Sequence, residues 1–135
     1  MKVLTFRLGQ FAVSALFLTI LFLYALNLCI EVGSGAIFCS IVYFCLMFFI
    51  GYFLGKKDVI ENDIHDIGFR FHFTTYVICI GISFGAYYIG WNAQNLVSMK
   101  ISAICWVIGL LIHFICFLFA QRKAIKGYAK EDIFE

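Results

Sequence analysis

Four long runs without a charged residue constrain this chain more than any other feature of its sequence. Uncharged residues follow Arg7 for 23 positions, Glu31 for 24, Arg70 for 29 and Lys100 for 21. About 20 residues of α-helix cross the hydrocarbon core of a bilayer. The sequence therefore predicts an all-α integral membrane protein with four transmembrane helices. These helices are expected at about 8–29, 36–54, 71–90 and 101–120.

The composition supports this fold class and argues against a soluble domain. Hydrophobic residues make up 64% of the 135 residues and charged residues 13%, whereas soluble domains average about 45–50% apolar and about 25% charged residues. The longest segments outside the predicted helices are a connector at 56–70 and a tail at 121–135. We therefore expect a single membrane domain over residues 1–135.

The positive charges are divided unevenly between the two sides of such a protein. Nine of the ten Lys and Arg residues fall at the N-terminus, in the connector or in the tail, and only Lys100 falls in a loop on the other side. Basic loops remain in the cytoplasm. We therefore expect two helical hairpins in the cell inner membrane, with both termini cytoplasmic. The net charge of +2 then gives no indication of nucleic-acid binding.

The connector has the spacing of a short amphipathic helix. Ile60, Ile64 and Ile67 recur at i, i+4 and i+7 between acidic residues, which predicts a helix on the cytoplasmic surface that rests against protein or is solvated. Glu61 and His65 are also four residues apart, but no third ligand accompanies them. The sequence therefore predicts a solvated charge cluster and no metal site.

Two histidines lie within the last two predicted helices, and ionisable groups at membrane depth are candidates for function. His113 precedes Gln121, the predicted helix end, by eight residues, whereas His72 follows Arg70 by only two. At 1.5 Å per residue, their depths should differ by about 9 Å. This offset argues against a haem held between them. It leaves a proton-sensing or polar-gate role, or a neutral histidine bonded to a neighbouring helix.

One face of the fourth predicted helix combines His113 with two further residues. Trp106, Gly109 and His113 follow one another at spacings of three and four, so they share a side of the helix. We expect this candidate functional face to turn toward His72, Tyr76 or another subunit.

Small residues on the third predicted helix indicate close helix packing. Gly81 and Gly85 are separated by three residues that include Ser83, and this spacing lets helix backbones approach within one chain or between subunits. The expected partners are membrane lipids and either further copies of the chain or another membrane protein.

The six cysteines all lie in the apolar runs, and none forms a CxxC pair, which argues against a thiol oxidoreductase or a metal finger. Cys29 and Cys39 are equidistant from Ser34 in the predicted turn, so they should lie at the same outer depth. They could form a disulfide in an oxidising compartment. The alternative is two buried thiols that act as small apolar residues.

Several classes of activity lack their chemical groups. No Asp or Glu lies inside a predicted helix, and the chain contains no proline, so neither a membrane-embedded proton-coupled carboxylate nor the broken helices of many transporters are indicated. No Ser-His-Asp or paired-carboxylate arrangement lies at membrane depth. We therefore expect a protein that is not an enzyme and needs no cofactor.

Two motifs stand out in the second half of the chain: Gly68-Phe69 followed by His72 and Tyr76, and then the run Trp106, Gly109, Leu110 and His113. With these motifs, residues 59–126 resemble the bacterial 2TM-domain family, which has a Gly-Phe pair followed by a histidine and a tyrosine in one helix, and a Trp-x-x-Gly-Leu-x-x-His run in the next. The outer loop and the tail of this chain differ from the family pattern. The family occurs alone or fused to signalling proteins and has no established chemistry, so the resemblance implies a membrane sensor or scaffold.

Two weaker resemblances concern the architecture. The double hairpin is similar to GtrA-like flippases of lipid-linked sugars, although their characteristic helix-end motifs are absent, and to the small exclusion protein of phage lambda, an ion channel. The expected function is thus a non-enzymatic, oligomeric membrane module acting as a sensor, a scaffold or a small pore. The alternative is a flippase of a lipid-linked substrate.

Overall fold

The chain folds into four α-helices. The structure is a computed structural model that describes residues 4–29, 33–62, 68–92 and 94–131, with side chains up to residue 119. Within these ranges there is no β-strand, which confirms the predicted all-α architecture. The helices are α1 (Phe6–Cys29), α2 (Gly33–Asn62), α3 (Phe69–Tyr88) and α4 (Leu96–Glu131).

Three of the four helices are long and apolar enough to cross a membrane. They are α1, α2 from Ser34 onward, and α4 as far as Phe119. The third helix is long enough but less apolar, because Arg70, His72 and two threonines lie in its first two turns. The prediction of four such helices is therefore met in three.

Two helices extend beyond their predicted apolar segments. The second predicted helix was expected to end at Leu54, but α2 continues to Asn62. The tail after Gln121 likewise continues α4 as far as Glu131. No proline interrupts either segment, and Lys, Glu and Ala in the extensions are good helix formers. Ile60, the first apolar residue of the predicted surface helix, thus belongs to α2. The other two, Ile64 and Ile67, lie outside the described residues.

Asparagines organise the loop between α3 and α4. Gly90 lies two residues after the end of α3 and has a φ of 75°, a conformation that glycine adopts without strain. The amide of Asn92 donates to the carbonyl of Ser83 at 3.2 Å, which ties the loop to α3. The side-chain oxygen of Asn95 accepts from the backbone N–H of Val97 at 2.8 Å, an N-cap that starts α4 before the predicted residue 101.

The first helix is the centre of the fold. It packs against both α2 and α3, while α4 packs against α3. Side chains of α2 and α3 also meet each other, so among the described residues these three helices pack together and α4 is attached mainly through α3. The buried positions of α1 recur every three or four residues: Leu8, Phe11, Ala15, Thr19, Leu23 and Leu26.

Phe11 joins the three packed helices at one point. Its ring lies 5.0 Å from that of Phe71 on α3, centroid to centroid. On α2, a Cβ added at Gly51 would lie 3.5 Å from Cε2 of Phe11, an ordinary van der Waals contact, so α2 passes close to the ring at this point. Leu8, Ala15 and Met47 complete the buried cluster around Phe11 and Phe71.

Replacement of Phe11 by alanine tests this core. Phe11 is 2% exposed, whereas Phe17 on the same helix is 66% exposed. We expect Phe11→Ala to lower the unfolding free energy in detergent by about 2–3 kcal/mol. This loss is smaller than in a water-soluble core, because apolar surroundings solvate the Phe11 ring of the parent protein once the helices separate. Phe17→Ala is the matched control, and an equal loss in both variants would contradict the packing described here.

Candidate functional site between α3 and α4

Aromatic rings and two histidines form the interface between α3 and α4. The rings of His72 and His113 meet edge to face, with centroids 4.8 Å apart and planes inclined by 68°. Phe69 stacks on His113 with centroids 6.1 Å apart. Further along the helices, Tyr76 and Trp106 meet at 6.1 Å, also edge to face. Ring contacts therefore follow one another along this interface between α3 and α4.

The structure corrects the relative depth of the two histidines. An offset of about 9 Å was expected from a helix end near Gln121, but α4 continues to Glu131, so that reference point was wrong. His113 in fact lies level with His72 and with Phe69 at the start of α3. The direct contact of the two imidazoles leaves no gap between them for a porphyrin. This contact, and not a difference in depth, is what argues against a haem held between the histidines.

The remaining member of the candidate face, Gly109, takes no part in this interface. It is exposed, and a Cβ added to it would meet no atom within 4 Å. Of the three residues in this face and the two toward which it was expected to turn, the structure thus joins His72 to His113 and Tyr76 to Trp106. Gly109 lies between the two ring pairs in sequence but faces away from close neighbours.

Gly81 and Gly85 on α3 have no close neighbour on another helix within the described part of the chain. Gly81 and Gly85 are both exposed, and a Cβ on either would meet nothing within 4 Å. Ser83 is partly buried and offers its backbone carbonyl to Asn92. The spacing therefore leaves an open surface on α3.

Cys29 and Cys39 lie close together at the ends of α1 and α2. Their Sγ atoms are 4.0 Å apart, and both cysteines are free thiols in this structure. The turn thus places the two residues beside each other, as their equal distance from Ser34 predicts, without a covalent bond.

A polar contact in the middle of the helices was not found from the sequence. The hydroxyl of Thr19 on α1 lies 3.0 Å from that of Tyr43 on α2. The Tyr43 hydroxyl lies 2.7 Å from Sγ of Cys79 on α3. Thr19 also donates to the carbonyl of Ala15 at 2.7 Å. The only sequence signal was a polar atom in each apolar run, and no spacing rule pairs positions on three different helices.

An ion pair buried at the charged end of the helices was also missed. Asp58 on α2 is only 1% exposed. It accepts from Arg70 Nη2 on α3 at 2.7 Å and from the amide of Asn62 at 2.9 Å. The interpretation of the connector acids as a solvated cluster is therefore wrong for Asp58, because the extension of α2 carries this carboxylate to the start of α3.

Glu61, one turn further along α2, forms a second ion pair near the surface. Arg7 on α1 donates from Nε to the Glu61 carboxylate at 2.8 Å and makes a further bond from Nη2. Glu61 is therefore bound to an arginine, while His65, its suggested metal partner, lies outside the described residues. Within the described ranges, no three His, Cys, Asp or Glu side chains come together in a way that could hold a metal ion.

A cavity of about 560 Å³ opens beside the histidine interface. Phe11 and Phe71 form part of its inner wall, His72 and Trp106 lie on the α3–α4 side, and aromatic residues of α2 line the opposite wall. The cavity thus connects the core of the fold to one face of the predicted functional site. Its volume lies within the range of about 300–1,000 Å³ that is usual for small-molecule sites.

Comparisons with known proteins add no relative to this description. No family model, curated protein or solved structure matches the chain.

Loss of the Asp58 charge should destabilise the fold more than loss of the Glu61 charge. Asp58→Asn removes the buried carboxylate from its ion pair with Arg70, and breaking such a pair costs about 3 kcal/mol or more. We expect a clear drop in the detergent unfolding midpoint for Asp58→Asn. Glu61→Gln, the matched removal of a carboxylate from an exposed pair, should leave that midpoint nearly unchanged. Equal midpoints for the two variants would contradict the burial of Asp58.

Proposed function

We propose that the chain is a non-enzymatic, multi-pass protein of the cell inner membrane in which the contact between α3 and α4 senses protons. In this proposal α4 changes its position on α3 when the two histidines are protonated, and the altered surface is read by a second membrane protein chain. The contact of His72 with His113 carries the proposal, because it places two titratable groups across one helix interface.

The membrane arrangement that we propose has four spans with both termini in the cytoplasm. The partition of the Lys and Arg residues supports this orientation. The 20 residues of α3 would extend about 30 Å, which equals the hydrocarbon thickness of a bilayer. The polar first turns of α3 lie beside Asp58 and the charged end of α1, where the headgroup region would be.

The proton response follows from simple electrostatics. Two unit charges 4.8 Å apart repel by about 3 kcal/mol at an effective dielectric constant of about 20. An edge-to-face ring contact contributes only about 0.5–1.5 kcal/mol. Double protonation should therefore separate the rings, and α4 should follow because its described helix contacts are concentrated on α3.

The other cations near the pair would reinforce this effect. Lys56 on α2 lines the same cavity as His72. Arg70 lies one half-turn from His72, and its charge is engaged by Asp58. A proton added to the histidines thus increases a local charge that is already positive on the cavity side.

Trp106 provides a readout of this response, since it contacts Tyr76 across the same interface. With Trp91 replaced by phenylalanine, Trp106 fluorescence in liposomes should change between about pH 8 and pH 5, where histidine titrates. We expect His113→Gln, which keeps a polar side chain but cannot titrate in this range, to abolish the change. His65→Gln is the matched control and should retain it.

Two results would overturn the sensor proposal. One is an identical pH profile in His113→Gln and in the parent protein. The other is loss of the profile in His65→Gln, which would assign the titration to the connector. Helix content measured by circular dichroism at both pH values separates a local rearrangement from unfolding.

A second copy of the chain is the partner that we propose for the open surface of α3. The small-residue spacing of Gly81 and Gly85 suits close approach of another helix, and both positions have free space around them. Gly85→Leu should shift the protein toward the monomer in native mass spectrometry at a fixed detergent ratio. Gly9→Leu, at an equally open glycine on α1, is the control and should not. An unchanged oligomer in Gly85→Leu would remove α3 from the interface.

A flippase of a lipid-linked substrate is the second candidate, and the lateral cavity favours it. It differs from the sensor in requiring movement of a labelled lipid across the bilayer. A pore, in contrast, requires ion flux in the same liposomes that changes in His113→Leu.

A further inference from the structure

The cavity beside the histidine interface is a groove that is open along one wall. Three of its α2 residues, Phe44, Phe48 and Tyr52, are more than half exposed. The inner wall is different, because Phe11 and Phe71 are almost fully buried. The groove therefore runs from the packed core to the outside of the molecule, at the level of the apolar part of α2.

The length of the groove matches one leaflet of a bilayer. Phe44, Phe48 and Tyr52 stack in sequence along α2, with successive centroids 6.4 Å apart. From Phe44 to Lys56 the helix rises about 18 Å, compared with about 15 Å for half of the hydrocarbon thickness. A single extended acyl chain could therefore lie along this aromatic wall.

The charged end of the groove is cationic. Lys56 lines it, and among the described residues Lys56 forms no ion pair with a carboxylate. The two nearest described carboxylates on α2 are already bound to arginines, Asp58 to Arg70 and Glu61 to Arg7. These pairs leave the Lys56 ammonium as the group that can meet an anion at the mouth of the groove.

We propose that this groove binds an anionic phospholipid from the surrounding bilayer, with one acyl chain along the aromatic wall and the phosphate against Lys56. An apolar slot of leaflet length with a cation at its headgroup end fits such a molecule, and a zwitterionic lipid gains less from the lysine. The inference rests on the membrane location proposed above. It does not depend on the proton response of the histidines.

Trp106 lines the groove and can report its occupant. The experiment uses the Trp91→Phe protein in phosphatidylcholine liposomes at about pH 8, where histidine is mostly neutral. Phospholipids with brominated acyl chains are added as quenchers, either phosphatidylglycerol or phosphatidylcholine. A lysine near the membrane surface attracts an anionic lipid by about 1 kcal/mol. Half-maximal quenching should therefore need about fivefold less brominated phosphatidylglycerol than brominated phosphatidylcholine.

Three variants make the test specific. Lys56→Gln should abolish the preference for phosphatidylglycerol, whereas Lys57→Gln, at an exposed neighbour that does not line the groove, should retain it. Thr75→Phe places a ring in the groove and should reduce quenching by both lipids. Equal quenching by the two lipids overturns the proposal, as does an equal loss in both lysine variants or unchanged quenching in Thr75→Phe. Flotation of the proteoliposomes reports membrane insertion separately, so its failure would count against the proposed location.

Discussion

The packing of α1 against both α2 and α3 is the constraint on which the rest of this fold depends. Phe11 lies at the junction, close to Gly51 on α2 and to Phe71 on α3. Where the surroundings are lipid, burial of an apolar side chain gains little over leaving it exposed, so helix association depends on close packing and on polar contacts. The α2 helix passes the Phe11 ring closely at Gly51, where an added Cβ would be in ordinary van der Waals contact with the ring.

Polar contacts fix the register of these helices at three levels. At the charged end, Asp58 joins α2 to Arg70 at the start of α3. In the middle, Tyr43 bridges Thr19 on α1 and Cys79 on α3. At the opposite end, the side-chain amide of Asn27 on α1 donates to the carbonyl of Trp91, just after α3. Together these contacts prevent one helix from sliding along another without the loss of a hydrogen bond in an apolar setting, where an unpaired polar group is costly.

The fourth helix is held in a different way. Its contacts with α3 are mainly between rings, including the histidine pair, and the asparagine loop fixes only its first turn. A contact between rings is weaker than a buried ion pair, so α4 can shift on α3 at lower cost than α2, which the Asp58–Arg70 pair ties to α3. The groove lies on the same side of the molecule, and His72 and Trp106 belong to both features. An occupant of the groove and a proton on the histidines would therefore act on one interface.

The sequence by itself determined that there are four helices and that they pair as α1 with α2 and α3 with α4. It could do so because the length and polarity of each segment are local properties. It also indicated that Trp106 and His113 share a helix face, since that follows from helical spacing alone. It misjudged the depth of the histidines, because charged residues such as Arg122 and Lys123 do not end a helix that contains no proline. Only the tertiary structure decided that His72 touches His113, that Asp58 is buried against Arg70 and that Tyr43 reaches Cys79. Each of these contacts joins two helices, and their rotation and register depend on packing that no single segment encodes.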